Sequence, residues 1–309
     1  MDDETRLSWR LVARWAGQAI TALAFAFLGY ALYRQWGQIS GWRPDLQQLV
    51  LVIGLAVGYA MILSLLALNW ATILITLAPK ALNRSTLIRS YTDTQIAKYV
   101  PGNIVHLLGR HLYLTNLGLP HQIIARATVV ELASLPAAGV LSLLGLLIFL
   151  GISSPALSAF PQDVGLLVLG TLAVLAATAA VWRWFVGASY LVASLVTLRA
   201  IGFMIGQGLF FAALLWAIAG NFSPEAVPAA ILAWLVGFLT PGAPGGVAVR
   251  EAALLGLLAS IAPEQAVLIA ALLFRGATIL GDLILYLAAK KLVVLNSKSA
   301  GSDDPASLT

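Results

Sequence analysis

The sequence predicts an all-α protein of the membrane, with about six spanning helices and two re-entrant helical hairpins arranged as two inverted repeats. Composition, the number of long apolar segments and a repeated pattern around Pro-Gly lead to this prediction. Of the 309 residues, 60% are hydrophobic and only 10% are charged, and the mean hydropathy is +0.92. These values lie outside the range of soluble domains. In lipid, helices satisfy every backbone polar group internally, so a helical fold is expected.

Composition also excludes several classes of function. The chain has no cysteine, which rules out disulfides, thiolate nucleophiles and cysteine metal sites. Its three histidines are scattered, and for His106 and His111 an interfacial role is favoured over metal binding. We therefore predict no metal and no cofactor. The net charge of +5 is typical of cytoplasmic loops and does not indicate nucleic-acid binding.

Six segments are long and apolar enough to cross about 30 Å of hydrocarbon as helices of about 20 residues. The stretch 184–198 is also apolar, and it either lengthens a neighbouring helix or lies at the interface. Residues 1–14 carry too many charges for a cleaved signal, so the first segment is predicted to be a retained span. The predicted spans are 15–33, 49–70, 123–150, 164–182, 200–220 and 266–289.

Lysine and arginine in short loops predict the orientation. Basic residues cluster before 15, between 80 and 98, around 183–199 and after 289, whereas the loop 151–163 has none. Both termini are therefore predicted to be cytoplasmic in the plasma membrane, although Arg34 and Arg43 oppose this assignment. The predicted organisation is a cytoplasmic N-terminus 1–14, a first repeat 15–150, an external loop 151–163, a second repeat 164–292 and a disordered cytoplasmic tail 293–309.

Two further regions are predicted to be hairpins that enter and leave the membrane on one side. They span about 90–120 and about 226–262, and each is broken by Pro-Gly. The apolar arms 226–240 and 247–261 have 15 residues each, about 22 Å of helix, which is too short to cross alone. Irregular backbone at membrane depth is tolerated where it lines a cavity, so both breaks are expected to do so.

Each hairpin is first broken by Pro-Gly, at Pro101-Gly102 and at Pro241-Gly242, and an arginine follows each of these prolines by nine residues, at Arg110 and Arg250. Each hairpin precedes a long predicted span. Because two spans, a hairpin and a third span give an odd number of crossings, the second half would be inverted relative to the first. This is the plan of many secondary transporters, whose substrate sites form where broken helices meet near the midplane.

Each span that follows a hairpin carries an arginine and then an acid, and these residues are candidates for ion coupling or ion pairs. Arg275 and Asp282 share a helix face, which favours a structural ion pair through an intermediate partner over a proton relay. Glu131 fits a proton carrier and a buried hydrogen-bond partner equally well. The candidates are Arg126, Glu131, Arg275 and Asp282.

The segments "YVPGNIVHLLGRHLYLTNLG" and "TPGAPGGVAVREAALLGLL" resemble the two signature stretches of flippase-like membrane proteins related to the transmembrane region of lysylphosphatidylglycerol synthase. The resemblance covers residues 49–292. It implies movement of lipids or lipid-linked sugars between leaflets. The soluble aminoacyl-transferase domain of the synthase has no counterpart in the sequence, so lysyl transfer is not expected.

The residues themselves predict an anion site at the meeting point of the hairpins. Helices that begin after the Pro-Gly breaks direct N–H groups and positive dipole ends to the midplane. Arg110 and Arg250 add charges that suit phosphate, although Arg110 could instead extend to the interface. The predicted substrate-binding residues are Pro101, Gly102, Asn103, Arg110, Pro241, Gly242, Pro244, Gly245, Gly246, Arg250 and Glu251.

The sequence favours a flippase for an anionic phospholipid or a polyprenyl-phosphate or glycolipid substrate. A secondary transporter of a small anion would use the same helix ends. A membrane-embedded transferase or its accessory protein ranks third, because the few acids form no Asp-x-Asp pattern. A non-enzymatic role is therefore predicted, with membrane lipid as partner, no nucleic acid, and room for a homo-oligomer.

Overall fold

The computed structural model is helical in the parts of the chain that it describes. These are residues 29, 30, 33, 36, 37, 40–79, 82–99, 104–150, 163–187, 189–240, 246 and 248–301, without the side chains of 99, 164 and 292–301. Within them lie nine α-helices, one 3₁₀ turn, Ile96–Tyr99, and one π turn, Trp182–Val186, and no strand. The helices are α1 (Leu46–Leu77), α2 (Arg84–Gln95), α3 (Val105–Asn116), α4 (His121–Leu150), α5 (Val164–Val181), α6 (Tyr190–Ala219), α7 (Ala226–Leu239), α8 (Val249–Leu258) and α9 (Glu264–Gly301).

Five helical segments of the described chain are long and apolar enough to cross a membrane: Leu46–Leu77, His121–Leu150, Gly165–Val186, Tyr190–Ala219 and Glu264–Lys291. They correspond to five of the six predicted spans, and the all-helical membrane fold is confirmed at this level. The predicted first span, 15–33, falls almost wholly outside the described residues.

The ambiguous stretch 184–198 is divided by a helix end. Gly187 has a left-handed φ of 68°, and its N–H donates to the carbonyl of Trp182 at 3.1 Å, which closes the π turn. The next helix begins at Tyr190. Residues 190–198 therefore form the first part of α6, while residues 184–186 belong to the π turn that follows α5.

Four short helices form two pairs, α2 with α3 and α7 with α8, at the positions of the predicted hairpins. At 12, 12, 14 and 10 residues, they are too short to cross a membrane singly. The first pair begins at Arg84, before the predicted 90, because the Asn83 side chain caps α2 by accepting from the Thr86 N–H at 2.8 Å. Both Pro-Gly breaks lie outside the described residues.

Helix α8 begins later than the sequence suggested. The second apolar arm of this hairpin is predicted to begin at 247, but the first helical residue is Val249. Gly246 and Ala248 have φ of 70° and 65°, and this left-handed backbone cannot continue into a right-handed helix. At the other end of the chain, the α9 backbone continues to Gly301, past the predicted start of the tail at 293.

The described helices repeat one order of lengths. Long, short, short and long helices follow one another in α1–α4 and again in α6–α9, with α5 between the two sets. The buried apolar residues form two clusters. One contains most of the buried residues of α7 and α8, and the other is formed mainly by α1, α4 and α6, together with Leu87 and Tyr91 of α2 and Leu114 of α3. Phe210 and Trp234 pack against both clusters. Each short pair thus has its own apolar surroundings, and the two sets meet in the middle of the molecule.

Helix α9 passes close to α1 near the middle of both. A Cβ placed on Gly281 would lie 2.7 Å from the carbonyl oxygen of Ala56, so only glycine allows this approach. The contact brings Asp282, the next residue, beside Tyr59 of α1. Charged side chains are gathered around this crossing.

Several basic residues lie at one end of the bundle. Arg199 lies near Arg84, and Lys290 near Arg89. At the opposite end, the Gln48 side chain at the start of α1 donates to the carbonyl of Ala217 at 3.2 Å. Basic side chains are therefore concentrated at this end, and Arg43 lies before α1 at the other end.

Candidate functional site

The first pair of short helices places a buried arginine, Arg110, against α4. Arg110 of α3 is 2% exposed and its Nη1 lies 2.6 Å from Oε2 of Glu131. Its Nη2 donates to Oε1 of Gln95 at 3.3 Å, and its guanidinium carbon lies 4.1 Å and 4.7 Å from the ring centres of Tyr91 and Trp70. The interpretation in which Arg110 extends to the interface is therefore wrong, because the guanidinium is enclosed by an acid, an amide and two aromatic faces.

A second buried ion pair joins the same hairpin to α9. Nζ of Lys98 lies 2.7 Å and 2.9 Å from the two carboxylate oxygens of Asp282, whose side chain is 0% exposed. Lys98 also lies over the Tyr59 ring, 5.9 Å from its centre. Sequence reasoning did not select Lys98 as a site residue. The available signal was its position three residues before Pro101, at the end of the 3₁₀ turn that leads into the break.

The aliphatic part of Arg250 lies in a narrow gap between Gly237 and Gly246, called here the slot. A Cβ on Gly246 would lie 2.8 Å from the Cδ of Arg250, and a Cβ on Gly237 of α7 would overlap the Cγ of Arg250. Neither position therefore tolerates a side chain while the arginine keeps this conformation. The α7–α8 pair is built around the aliphatic part of Arg250, which fixes the direction of its guanidinium.

Glu251 points elsewhere, as expected from its neighbouring helix position. Its Oε1 lies 4.0 Å from Nη1 of Arg275 on α9, and no donor among the described residues lies within hydrogen-bond distance of its Oε2. Glu251 and Arg275 line a cavity with Arg250 and Thr278. About 20 Å³ of this cavity is open to the centre of a water molecule, so it admits one group of that size.

Tyr59 lies at the crossing of α1 and α9, close to charges of both short-helix regions. Lys98 lies over the Tyr59 ring and forms an ion pair with Asp282. Arg250 and Arg275 act electrostatically on the Tyr59 hydroxyl. Tyr91 lies against the guanidinium of Arg110, which pairs with Glu131.

No protein-family model and no curated protein matches the chain. The resemblance to the flippase-like family therefore rests on the two segments around the Pro-Gly breaks and is carried forward as a hypothesis.

Three of the ion pairs among the described residues join different elements. Glu131 and Arg126 lie on one helix, but Glu131 contacts Arg110. Arg126 donates from Nη2 to the Phe185 carbonyl, at the end of the π turn, where a cation is favoured by the helix dipole. Arg275 and Asp282 contact Glu251 and Lys98 respectively, so each joins α9 to a different hairpin.

The structure brings together six of the charged residues that the sequence selected: Arg110, Glu131, Arg250, Glu251, Arg275 and Asp282. It adds Lys98 to them. Gly246 is described and contacts Arg250. The remaining predicted positions lie outside the described residues: Pro101, Gly102, Asn103, Pro241, Gly242, Pro244 and Gly245.

Proposed function

We propose that the chain is a membrane transporter that moves an anionic lipid, either a phospholipid or a lipid-linked sugar phosphate, between leaflets. The observation that carries this proposal is the set of three ion pairs that join the two short-helix regions to α4 and α9, beside the two apolar clusters. Ionisable groups at such a depth are costly and mark substrate or ion pathways.

The charged side chains that meet in this part of the molecule favour an anionic ligand. Its described members are four basic side chains, Lys98, Arg110, Arg250 and Arg275, and three acidic ones, Glu131, Glu251 and Asp282, a formal net charge of +1. Three of the basic groups are guanidinium, which forms paired hydrogen bonds with phosphate oxygens. An anionic head group is therefore the ligand that neutralises the net charge of the site.

Corresponding ion pairs support an inverted repeat. In the first half, the second short helix contacts the following long helix through Arg110 and Glu131. In the second half, the equivalent helices are joined through Glu251 and Arg275. The acid and the base have exchanged places, but the connection between elements is the same. Two sets of long, short, short and long helices with matching ion pairs are expected of a duplicated unit.

In this proposal the described conformation is occluded. The cavity beside Arg250 and Glu251 admits a group of the size of water, which is far smaller than a lipid head group. Movement of α7 and α8 relative to α9 would lengthen the 4.0 Å contact between Glu251 and Arg275 and widen the cavity. Transport therefore requires that this contact opens and closes in each cycle.

The small cavity favours one alternative, a secondary transporter of a small inorganic anion. Sulfate or phosphate would use the same guanidinium groups, and would need less movement of the hairpin than a lipid does. The two candidates share their binding chemistry and differ in the size of the path. An experiment that measures both substrates in the same vesicles distinguishes them.

The test is reconstitution into proteoliposomes with a fluorescent anionic phospholipid in one leaflet and radiolabelled sulfate outside. We expect accelerated lipid movement, reduced by about tenfold or more in Arg250→Ala and Arg110→Ala and less in Arg250→Lys, which retains charge but loses the paired geometry. Arg43→Ala is the control, because Arg43 contacts only exposed backbone carbonyls among the described residues. Undiminished lipid movement in both alanine variants, or sulfate uptake without lipid movement, contradicts the proposal.

A further inference from the structure

The cavity beside Arg250 presents acceptor atoms as well as cations. Glu251 is 8% exposed, and its Oε2 has no donor among the described residues. Thr278, on the same cavity wall, donates its hydroxyl proton to the carbonyl of Arg275 at 2.9 Å, which leaves its oxygen lone pairs as acceptors. Two acceptors therefore adjoin the two arginines.

A buried carboxylate oxygen without a donor is unfavourable, because the group has lost its hydration and gained no hydrogen bond. A site that bound only a deprotonated phosphate would gain nothing from these acceptors, and the charge of Glu251 would repel such a ligand. The acceptors are useful when the ligand carries a hydrogen-bond donor next to its anionic part. The cavity volume, room for one water-sized group, matches a hydroxyl or an ammonium group.

We propose that Glu251 Oε2 and Thr278 Oγ1 accept hydrogen bonds from a hydroxyl or ammonium group of the head group, while Arg250 and Arg275 bind its phosphate. The substrate class is then a phosphodiester lipid whose head group carries a donor. This inference rests on the proposed function and adds the selection of the head group. Glu251 is the residue that determines this specificity.

Binding of soluble short-chain lipids to the purified protein in detergent tests the inference separately from transport. Dioctanoyl phosphatidylglycerol and dioctanoyl phosphatidylmethanol are both anionic phosphodiesters, but only the first carries hydroxyl donors. Phosphatidylethanolamine and phosphatidylcholine make the corresponding pair for an ammonium group, because only the first has N–H donors. We expect one donor-bearing lipid to bind at least about tenfold more tightly than its partner, since an unpaired buried acceptor is left in the other complex.

Substitutions of cavity residues test whether the preference for donor-bearing lipids arises in the cavity. Glu251→Met removes the acceptor at similar volume and is expected to bring the affinity ratio close to one. Glu251→Gln keeps a carbonyl acceptor but loses the charge, so it retains a preference for hydroxyl and loses any preference for ammonium. Thr278→Val reduces the ratio severalfold and provides a second variant if Glu251→Met is unstable. The control Glu225→Gln changes an acid whose recorded hydrogen bond is with Ser223, outside the cavity, and leaves the ratio unchanged.

The outcomes separate the two proposals. Equal affinities within both lipid pairs for the wild type, or an unchanged ratio in Glu251→Met and Thr278→Val, overturn the head-group inference and leave the transport proposal standing. A ratio that depends on Glu251, found together with vesicles in which no labelled lipid moves, supports the head-group site and overturns transport.

Discussion

At the scale of single residues, the enclosure of Arg110 has a direct energetic consequence. Removal of one partner from a buried ion pair leaves the other charge without compensation, whereas removal of both leaves apolar surfaces that can pack. We expect Arg110→Met to lower the free energy of unfolding by about 3–5 kcal/mol, and the double variant Arg110→Met with Glu131→Met to lower it by clearly less. Unfolding of the single and double variants in detergent micelles measures the difference. Additive losses would show that Arg110 and Glu131 do not interact.

The backbone at Ala248 leads to a second prediction. Ala248 is fully buried and has φ of 65°, a conformation that side chains rarely adopt, directly before α8. Ala248→Gly removes the strain but also a buried methyl, so we expect a change within about 1 kcal/mol. Ala248→Val adds a branched side chain to the same backbone and should lower the free energy of unfolding by more than about 2 kcal/mol. Ala253→Val, in the regular part of α8, is the control, and a similar loss there would refute the backbone explanation.

Sequence reasoning identified most of these charges individually but did not identify their partners. Glu131 and Asp282 were selected because ionisable side chains are rare in apolar segments, and Arg110 because it follows Pro101 by the same nine residues that separate Arg250 from Pro241. Spacing along the chain shows only which residues share a face of one helix. The partner of Asp282 is Lys98, 184 residues away, and that of Arg110 is 21 residues away on another helix. Lys98 was missed because it lies in a polar stretch, where a lysine is unremarkable.

At the scale of helices and hairpins, the packing of α7 against α8 depends on the absence of a side chain at Gly237. We expect Gly237→Ala to displace Arg250, to lower stability by about 1–3 kcal/mol and to reduce ligand binding, because the new Cβ overlaps the arginine stem. Gly256→Ala, in the same hairpin, has open space around the added Cβ and should be neutral or slightly stabilising. Thermal unfolding and lipid binding of both variants provide the measurement. Equal effects would mean that the slot does not position Arg250.

The lengths of the helices were predictable to a useful degree, and their ends were less so. The length of the apolar segments was sufficient to predict the five spans. The end at Gly187 depends on one left-handed residue in an apolar stretch, and the late start of α8 depends on the conformation of Ala248. An alanine gives no indication of positive φ in a sequence, so the second of these features could not have been predicted from the residue type.

At the scale of the whole molecule, the proposed inverted repeat predicts the sidedness of the hairpins. The chain has no native cysteine, so single cysteines can be labelled without interference. We expect Asn221→Cys and Ala262→Cys, which flank the α7–α8 pair, to react with a membrane-impermeant reagent from one side. Ser85→Cys, in the first turn of α2, and Leu117→Cys, directly after α3, should react from the opposite side. Labelling of 221 and 262 from different sides would mean that α7 and α8 together cross the membrane.

Helix α9 makes the two hairpins depend on each other. Arg275 and Asp282 are seven residues apart, about two helical turns, and so lie on one face of α9. One contacts Glu251 of the second pair and the other contacts Lys98 beside the first break. A rotation of α9 about its own axis would change both contacts at once. In the proposed transporter, a movement of one hairpin would therefore be transmitted through α9 to the other. A ligand that displaces one hairpin would alter the second as well. Such coupling is what a gate needs if it is never to be open to both sides of the membrane at once.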